Sequence, residues 1–189
     1  MTAPMAHPVH GTADAPAAAF AVPPRIETAR LVLRAAVMAD FPAYRDFLAT
    51  DRASHMGGPH GAETAWSWFC NDTAQWALLG IGGLTVTERG TGRQIGHVTL
   101  CHGPGFPEPE LGWLVLNAED ERKGLATEAA MALRDWALGP RGLRTIVSYV
   151  DPANAPSRRL AERLGAVIDP SAATPGGAPT LVYRMGGRA

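Results

Sequence analysis

Cysteine is scarce in this chain. Cys70 and Cys101 are the only two among 189 residues, and neither stands in a spacing that builds a metal site or a redox pair. They read as two reduced thiols. No apolar run approaches the roughly 20 residues that a membrane-spanning helix requires, so no membrane partner is expected. Charge of one sign is also lacking. The 17 Lys and Arg offset 18 Asp and Glu to a net charge of −1, which gives no general attraction to nucleic acid. A Gly-x-x-x-x-Gly-Lys-Ser/Thr run is absent, which argues against a nucleoside triphosphatase. No internal repeat is visible. The N-terminus has no basic start followed by an apolar core, so it does not read as a signal peptide, and a cytoplasmic location is expected.

What is present describes one globular domain. The hydrophobic fraction is 46% and the charged fraction 19%, enough for a real core at this length. Residues 1–24 are rich in Ala, Pro and His with few large apolar side chains. Such a segment cannot bury enough surface to offset its ordering entropy, and it reads as a disordered tail in which His7 and His10 are incidental. A single domain is expected over residues 25–189.

Alternation over residues 28–34 predicts a first strand. Asp40 then reads as the N-cap of a helix with Phe41, Tyr44, Phe47 and Leu48 at helical spacing. Met56-Gly57-Gly58-Pro59 breaks it, and a second helix is expected over residues 62–75. Residues 78–88 and 94–102 read as strands joined by the turn Arg89-Gly90-Thr91-Gly92-Arg93. Residues 103–109 read as a Gly/Pro loop. A strand over residues 110–116 would put Glu110, Gly112, Leu114 and Leu116 on one face. A helix from Gly124 carries Leu125, Ala129, Ala132, Leu133 and Trp136 on one stripe and stops at Gly139-Pro140. Residues 145–150 form a β-branched strand, Asn154 caps a last helix, and two strands are expected within residues 166–185. Trp66, Trp68 and Trp76 read first as core aromatics; a pocket role for Trp66 or Trp68 is the sharper alternative.

The stretch around which the rest is organised is Arg122-Lys123-Gly124, between a strand and a helix, where these three residues are expected in the helix's first turn. Helix starts carry unpaired N–H groups and a partial positive charge, and a glycine lets a ligand approach the backbone. Two cations beside those donors make an anion site, with phosphate the natural occupant. The competing reading is a solvated turn. Basic residues sit poorly against the positive helix end, which favours an anionic ligand.

The run Glu121-Arg122-Lys123-Gly124-Leu125-Ala126 resembles the pyrophosphate loop, Gln/Arg-x-x-Gly-x-Gly/Ala, of the GNAT superfamily of acyl-CoA N-acyltransferases. Gly124 and Ala126 fit; Glu121 departs at the first position. Residues 123–129 are similar to the ribosomal-protein N-terminal acetyltransferase (RimJ/RimL-like) branch. Two further stretches resemble that branch: Thr28-Ala29-Arg30-Leu31-Val32-Leu33-Arg34, and Asn154-Ala155-Pro156-Ser157-Arg158-Arg159-Leu160-Ala161-Glu162-Arg163-Leu164-Gly165. The resemblance implies an α/β (α+β) GNAT fold. Its mixed, mostly antiparallel sheet of about seven strands is flanked by about four helices. The fourth and fifth strands splay apart, and the thioester of acetyl-CoA, the cosubstrate, sits in the gap; no metal is implied.

On that resemblance the cosubstrate lies against the backbone of Leu114, Val115 and Leu116, its phosphates on Arg122, Lys123, Gly124, Leu125, Ala126 and Thr127, and its pantetheine arm near Asn154 and Ser157. A backbone N–H of the strand would hold the developing oxyanion. Glu110, at the start of the strand, is the natural general base, against a plain solvated carboxylate. Many relatives carry a Tyr as thiolate acid where this chain has Ala161. Ser157, four residues earlier on the same helix face, is the substitute, against a simple Ser–backbone hydrogen bond. The acceptor is a primary amine, of a protein N-terminus or a small molecule, and family members are monomers or homodimers. Acceptor choice would lie in the first two helices and residues 103–109. The alternative from another class is a non-catalytic acyl-CoA-binding module on the same fold.

Overall fold

The structure, a computed structural model, describes residues 22–176 and 178–186. The predicted tail falls almost wholly outside the described residues. One sheet of eight strands runs in the order β1-β2-β3-β4-β5-β6-β8-β7. The strands are β1 (Ile26–Glu27), β2 (Leu31–Ala35), β3 (Gly83–Glu88), β4 (Gln94–Gly103), β5 (Phe106–Val115), β6 (Thr145–Val150), β7 (Val167–Ile168) and β8 (Leu181–Gly186). The helices are α1 (Phe41–Leu48), α2 (Ala62–Leu79), α3 (Leu125–Leu138) and α4 (Ala155–Arg163), with short 3-10 turns at Met38–Asp40, Asp51–Met56 and Ala118–Asp120. Every neighbouring pair of strands is antiparallel except β5–β6.

Two apolar clusters sandwich the sheet. The larger joins Leu31, Leu33, Val98, Leu100, Leu111 and Ile146 to Ala129, Ala130, Leu133 and Ala137 of α3 and to Leu160, Ala161 and Leu164 of α4. The smaller packs Tyr44, Phe47 and Leu48 of α1 against Ala65 and Phe69 of α2, with Leu114 of β5 and Leu116 just beyond it.

Four local expectations are corrected. The predicted strand over residues 28–34 is broken, because Thr28 and Leu31 exchange bonds across a turn: Thr28 N–H donates to Leu31 O at 2.9 Å and Leu31 N–H to Thr28 Oγ1 at 2.9 Å. That turn makes β1 a separate edge strand. Asp40 does not cap α1 with its side chain. Its carboxylate accepts from Arg34 at 2.7 and 2.8 Å, from Val37 N–H at 2.9 Å and from the Thr85 hydroxyl at 2.9 Å. α2 continues to Leu79, since Trp76 is buried and donates Nε1–H to Gly83 O at 2.8 Å, leaving Leu78 in solvent. The supposed loop over residues 103–109 is largely strand: Gly103 pairs with Phe106, and Cys101 with Glu110. Pro107 and Pro109 fall outside the registered pairs, as residues without an N–H should. Glu110 therefore lies inside β5 rather than at its start.

Candidate active site

β5 and β6 touch at one registered pair, Glu110 with Val147. Ser148 adds a bond from its hydroxyl to Leu111 O at 2.7 Å. Beyond that level the strands part, and residues 112–115 keep only β4 as a strand neighbour. Leu116 N–H donates to Ile95 O across the β4 side at 3.0 Å. Successive residues of a strand turn their backbone groups to alternate sides, so the N–H groups of Trp113 and Val115 face the open side. A chain edge without a partner is a ready hydrogen-bonding surface.

Glu110 stands directly opposite Cys101, Gly112 opposite Thr99, and Leu114 opposite His97. All six share the face covered by α1 and α2. At Gly112 a Cβ would lie 2.6 Å from Thr99 Oγ1, so the backbone there is necessarily bare. Glu110 is half-buried and its Oε1 accepts from Tyr149 N–H at 3.4 Å. Burial, reinforced by the charge of Asp72, pushes its carboxyl up to about 7 against that bond. A carboxyl tuned into the neutral range suits general-base work.

Asp72, buried on α2, is the hub of a polar cluster that local sequence reasoning missed. Its Oδ1 accepts from the Cys101 thiol at 3.3 Å and its Oδ2 meets His97 Nε2 at 3.2 Å. Burial and the Asp72 charge hold the Cys101 thiol and the Tyr44 hydroxyl well above their usual ranges. Tyr149, whose hydroxyl accepts from Glu108 N–H at 3.2 Å, is raised to about 12 chiefly by burial. Nothing in the local sequence marks Asp72, which stands between Asn71 and Thr73 in a helix of mixed polarity.

On the opposite face, Trp113 donates Nε1–H to the Ser157 hydroxyl at 3.4 Å. Asn154 caps α4, its Oδ1 accepting from Ser157 N–H at 3.1 Å. Ala161 is fully buried in the core. Glu110 and Ser157 thus flank β5 from its two faces.

The loop after β5 is pinned from behind. Asp120 is buried and takes a bidentate bond from Arg93 at 2.7 and 2.9 Å, which holds its carboxyl down at about 2. α3 begins at Leu125, so Arg122 and Lys123 precede the helix rather than lie in its first turn. Lys123 is tied to Asp120 at 3.4 Å. Arg122 is exposed with φ 60, and among the described residues no carboxylate pairs with it. Gly124 has φ 76 and no side chain caps the helix. The N–H groups of Leu125, Ala126 and Thr127 have no intrahelical carbonyl. Left-handed backbone leading into open donors at a positive helix end is a cradle for phosphate. A cavity of about 520 Å³ lies behind this loop, lined by Arg30, Arg89, Arg93 and Lys123, away from Glu110.

Trp76 belongs to the core, Trp68 packs at a tilt against His60 with centroids 4.6 Å apart, and Trp66 meets Phe41 edge-on while remaining exposed. Arg52 and the His55–Asp151 pair, spanning α1–α2 to the gap, had no sequence signal. No described helix is long and apolar enough to cross a membrane. Among the described residues no three His, Cys, Asp or Glu side chains are grouped to hold a metal ion.

Comparison with known proteins bears on this geometry. A solved acetyltransferase from Agrobacterium tumefaciens str. C58 superposes with a TM-score of 0.82 at 48% identity, covering 86% of this chain and 94% of its own. An uncharacterized N-acetyltransferase of Bacillus subtilis (strain 168), YnaD, is 34% identical over 71 residues, 38% of this chain; the match spans 41% of that relative's length. The microcin C7 self immunity acetyltransferase MccE, solved in complex with acetyl-CoA and AMP, shares the fold at 14% identity with a TM-score of 0.62, over 84% of this chain and 93% of its own. The model of the acetyltransferase (GNAT) domain matches residues 30–167. The splayed strands, the cradle before α3 and these likenesses converge: the chain belongs to the GNAT acetyltransferase family.

Proposed function

We propose that the protein moves an acetyl group from acetyl-CoA to a primary amine by direct attack. The observation that carries this is the placement of Glu110 and Ser157 on opposite faces of β5, whose edge toward β6 is open beyond Glu110. The cradle residues fit the group they would hold. Gly124 in left-handed conformation, the free N–H groups at the start of α3 and exposed Arg122 suit a pyrophosphate.

In the proposed reaction Glu110 removes the proton from the ammonium, directly or through water, so that the nitrogen lone pair attacks the thioester carbonyl. The N–H of Val115 or Trp113 donates to the carbonyl oxygen as it becomes an oxyanion. As the C–S bond breaks, the nitrogen sheds its remaining extra proton to water, and the Ser157 hydroxyl relays a proton to the departing sulfur, taking one from water as it gives its own, with Trp113 Nε1–H bonded to the hydroxyl oxygen. The amide leaves toward the α1–α2 side and free CoA toward α4. Leu116 is excluded as the oxyanion donor, because its N–H is already bonded to Ile95 O.

The three stretches resembling the ribosomal branch favour a protein N-terminus as acceptor, with small-molecule amines as the second class. On this reading the protein acts in the cytoplasm, as a monomer or homodimer. A turnover assay with acetyl-CoA across peptide N-termini, amino acids and aminoglycosides tests all of this. Acetylation of one class supports the enzyme and names its acceptor. Tight acetyl-CoA binding with no turnover on any amine would replace it with the binding-module alternative.

A further inference from the structure

The 3-10 turn Asp51–Met56 straddles the gap. On one lip, Arg52 Nη1 donates to Leu116 O at 2.6 Å and Nη2 to Val115 O at 2.7 Å. The same guanidinium bonds Glu121 Oε1 through Nε at 2.9 Å and Nη2 at 2.5 Å, and it lies 4.9 Å over the Phe47 ring. On the other lip, His55 Nδ1 meets Asp151 Oδ2 at 2.7 Å. Three segments therefore converge on one side chain: the end of β5, the first residue of the phosphate cradle, and α1.

Two otherwise unconnected facts meet here. β6 diverges from the end of β5, and Arg52 supplies donors to its last carbonyls. Glu121 is the position at which the cradle departs from the Gln/Arg of the pyrophosphate loop. A carboxylate beside a pyrophosphate is electrostatically unfavourable unless it is neutralised. A planar fork with five donors can neutralise it and hold two carbonyls at once; an ammonium cannot.

We propose that Arg52 is a positioning residue for the donor substrate: it aligns the cradle with the end of β5 and screens Glu121 from the bound phosphates. This rests on the acyl-CoA reading of the cradle. Without Arg52 two costs fall on binding. The loop must be ordered by the ligand itself, and Glu121 is left as a bare negative charge beside an anion. The second cost has a signature that a merely structural arginine lacks. Removing Glu121 as well should restore part of the lost affinity.

The test is calorimetric titration of acetyl-CoA into the wild-type protein, Arg52→Ala, Arg52→Lys, Glu121→Ala and the Arg52→Ala/Glu121→Ala pair, with melting temperatures alongside. Arg52→Ala should weaken binding by about tenfold, and the double variant should recover to within about threefold of wild type. Glu121→Ala alone should change affinity by less than about threefold. Arg52→Lys, which keeps the charge and is the variant to trust if Arg52→Ala folds poorly, should still lose several-fold. Arg52→Ala and Arg52→Lys binding as wild type does, or a double variant no tighter than Arg52→Ala, overturns the proposal while the acyl-CoA reading stands. A wild-type protein that does not bind acetyl-CoA overturns both.

Discussion

Glu110 carries a carboxyl whose protonation is decided by what surrounds it. On its own strand the nearest acid is Glu108; β4 contributes Cys101 and His102, α2 contributes Asp72, and β6 contributes Tyr149. Burial and Asp72 raise its value to about 7, so the basic form populates as pH rises through that point. The chemical step should therefore climb with pH through about 7 and then level. Glu110→Gln keeps the size and removes the base. It should lower kcat by roughly 10²-fold or more near neutral pH, leave acetyl-CoA affinity almost unchanged, and regain part of the loss at high pH, where the amine is already free. A kcat unchanged in this variant would reassign the base. Asp72→Asn removes a like charge, so it should move the rising limb to lower pH, as rate profiles of the two proteins would reveal; an unmoved limb would mean that Asp72 does not act on Glu110.

In the proposed function, donor binding turns on the cradle before α3. Gly124 holds φ 76 at a helix start with no side-chain cap. Any L-residue pays roughly 1–2 kcal/mol to occupy that region, and a carboxylate there faces the phosphates as well. Gly124→Glu should weaken acetyl-CoA binding by well over tenfold in calorimetry. Undiminished binding would place the phosphates elsewhere. The element also shows why local reading works here: a glycine at a helix start and cations ahead of it are neighbours in sequence, so their conjunction survives without knowledge of the fold. Asn154 is similar. It caps the helix that follows it immediately, and its bond to Ser157 N–H spans three residues.

At the scale of the whole molecule, several carboxylates join distant parts of the chain. Asp120, bonded to Arg93, sits at about 2. Asp40 and Glu128 are also held below the usual carboxylate range. Burial opposes this in both, and is outweighed by Arg34, Val37 N–H and Thr85 for Asp40, and by Thr28 and Arg30 for Glu128. Folded-state values below the unfolded ones mean that these groups contribute stability above the ordinary carboxylate range and lose it as pH falls below that range, in the case of Asp120 down through about 2. Glu110 acts in the opposite sense, since charging it against burial costs stability as pH rises toward 7. The melting temperature should thus fall steeply between pH 4 and 2. Asp120→Asn should be less stable at neutral pH and show a shallower acid decline; parallel curves for the two proteins would remove Asp120 from the acid transition.

By itself the sequence determined what depends on neighbours along the chain. Hydrophobic period placed α3 and α4, β-branched residues placed β6, a glycine preceded by two cations marked the proposed cradle, and Asn154 announced its helix. These are i to i+4 relations, and short-range sterics and hydrogen bonding are enough to set them. Where local chemistry was ambiguous, the tertiary structure chose. Prolines and glycines over residues 103–109 suggested a loop, yet β4 held most of that segment as strand and moved Glu110 inside it. Only the fold could decide the rest. Arg52 reaches Leu116 across 64 residues, Cys101 reaches Asp72 across 29, and Ser157 reaches Trp113 across 44. No periodicity encodes such meetings, because they arise from how helices are laid on the two faces of a sheet. The tuning of Glu110 is a property of that packing: burial against α2 and the charge of Asp72 come from residues far along the chain, and no stretch of sequence around Glu110 contains them.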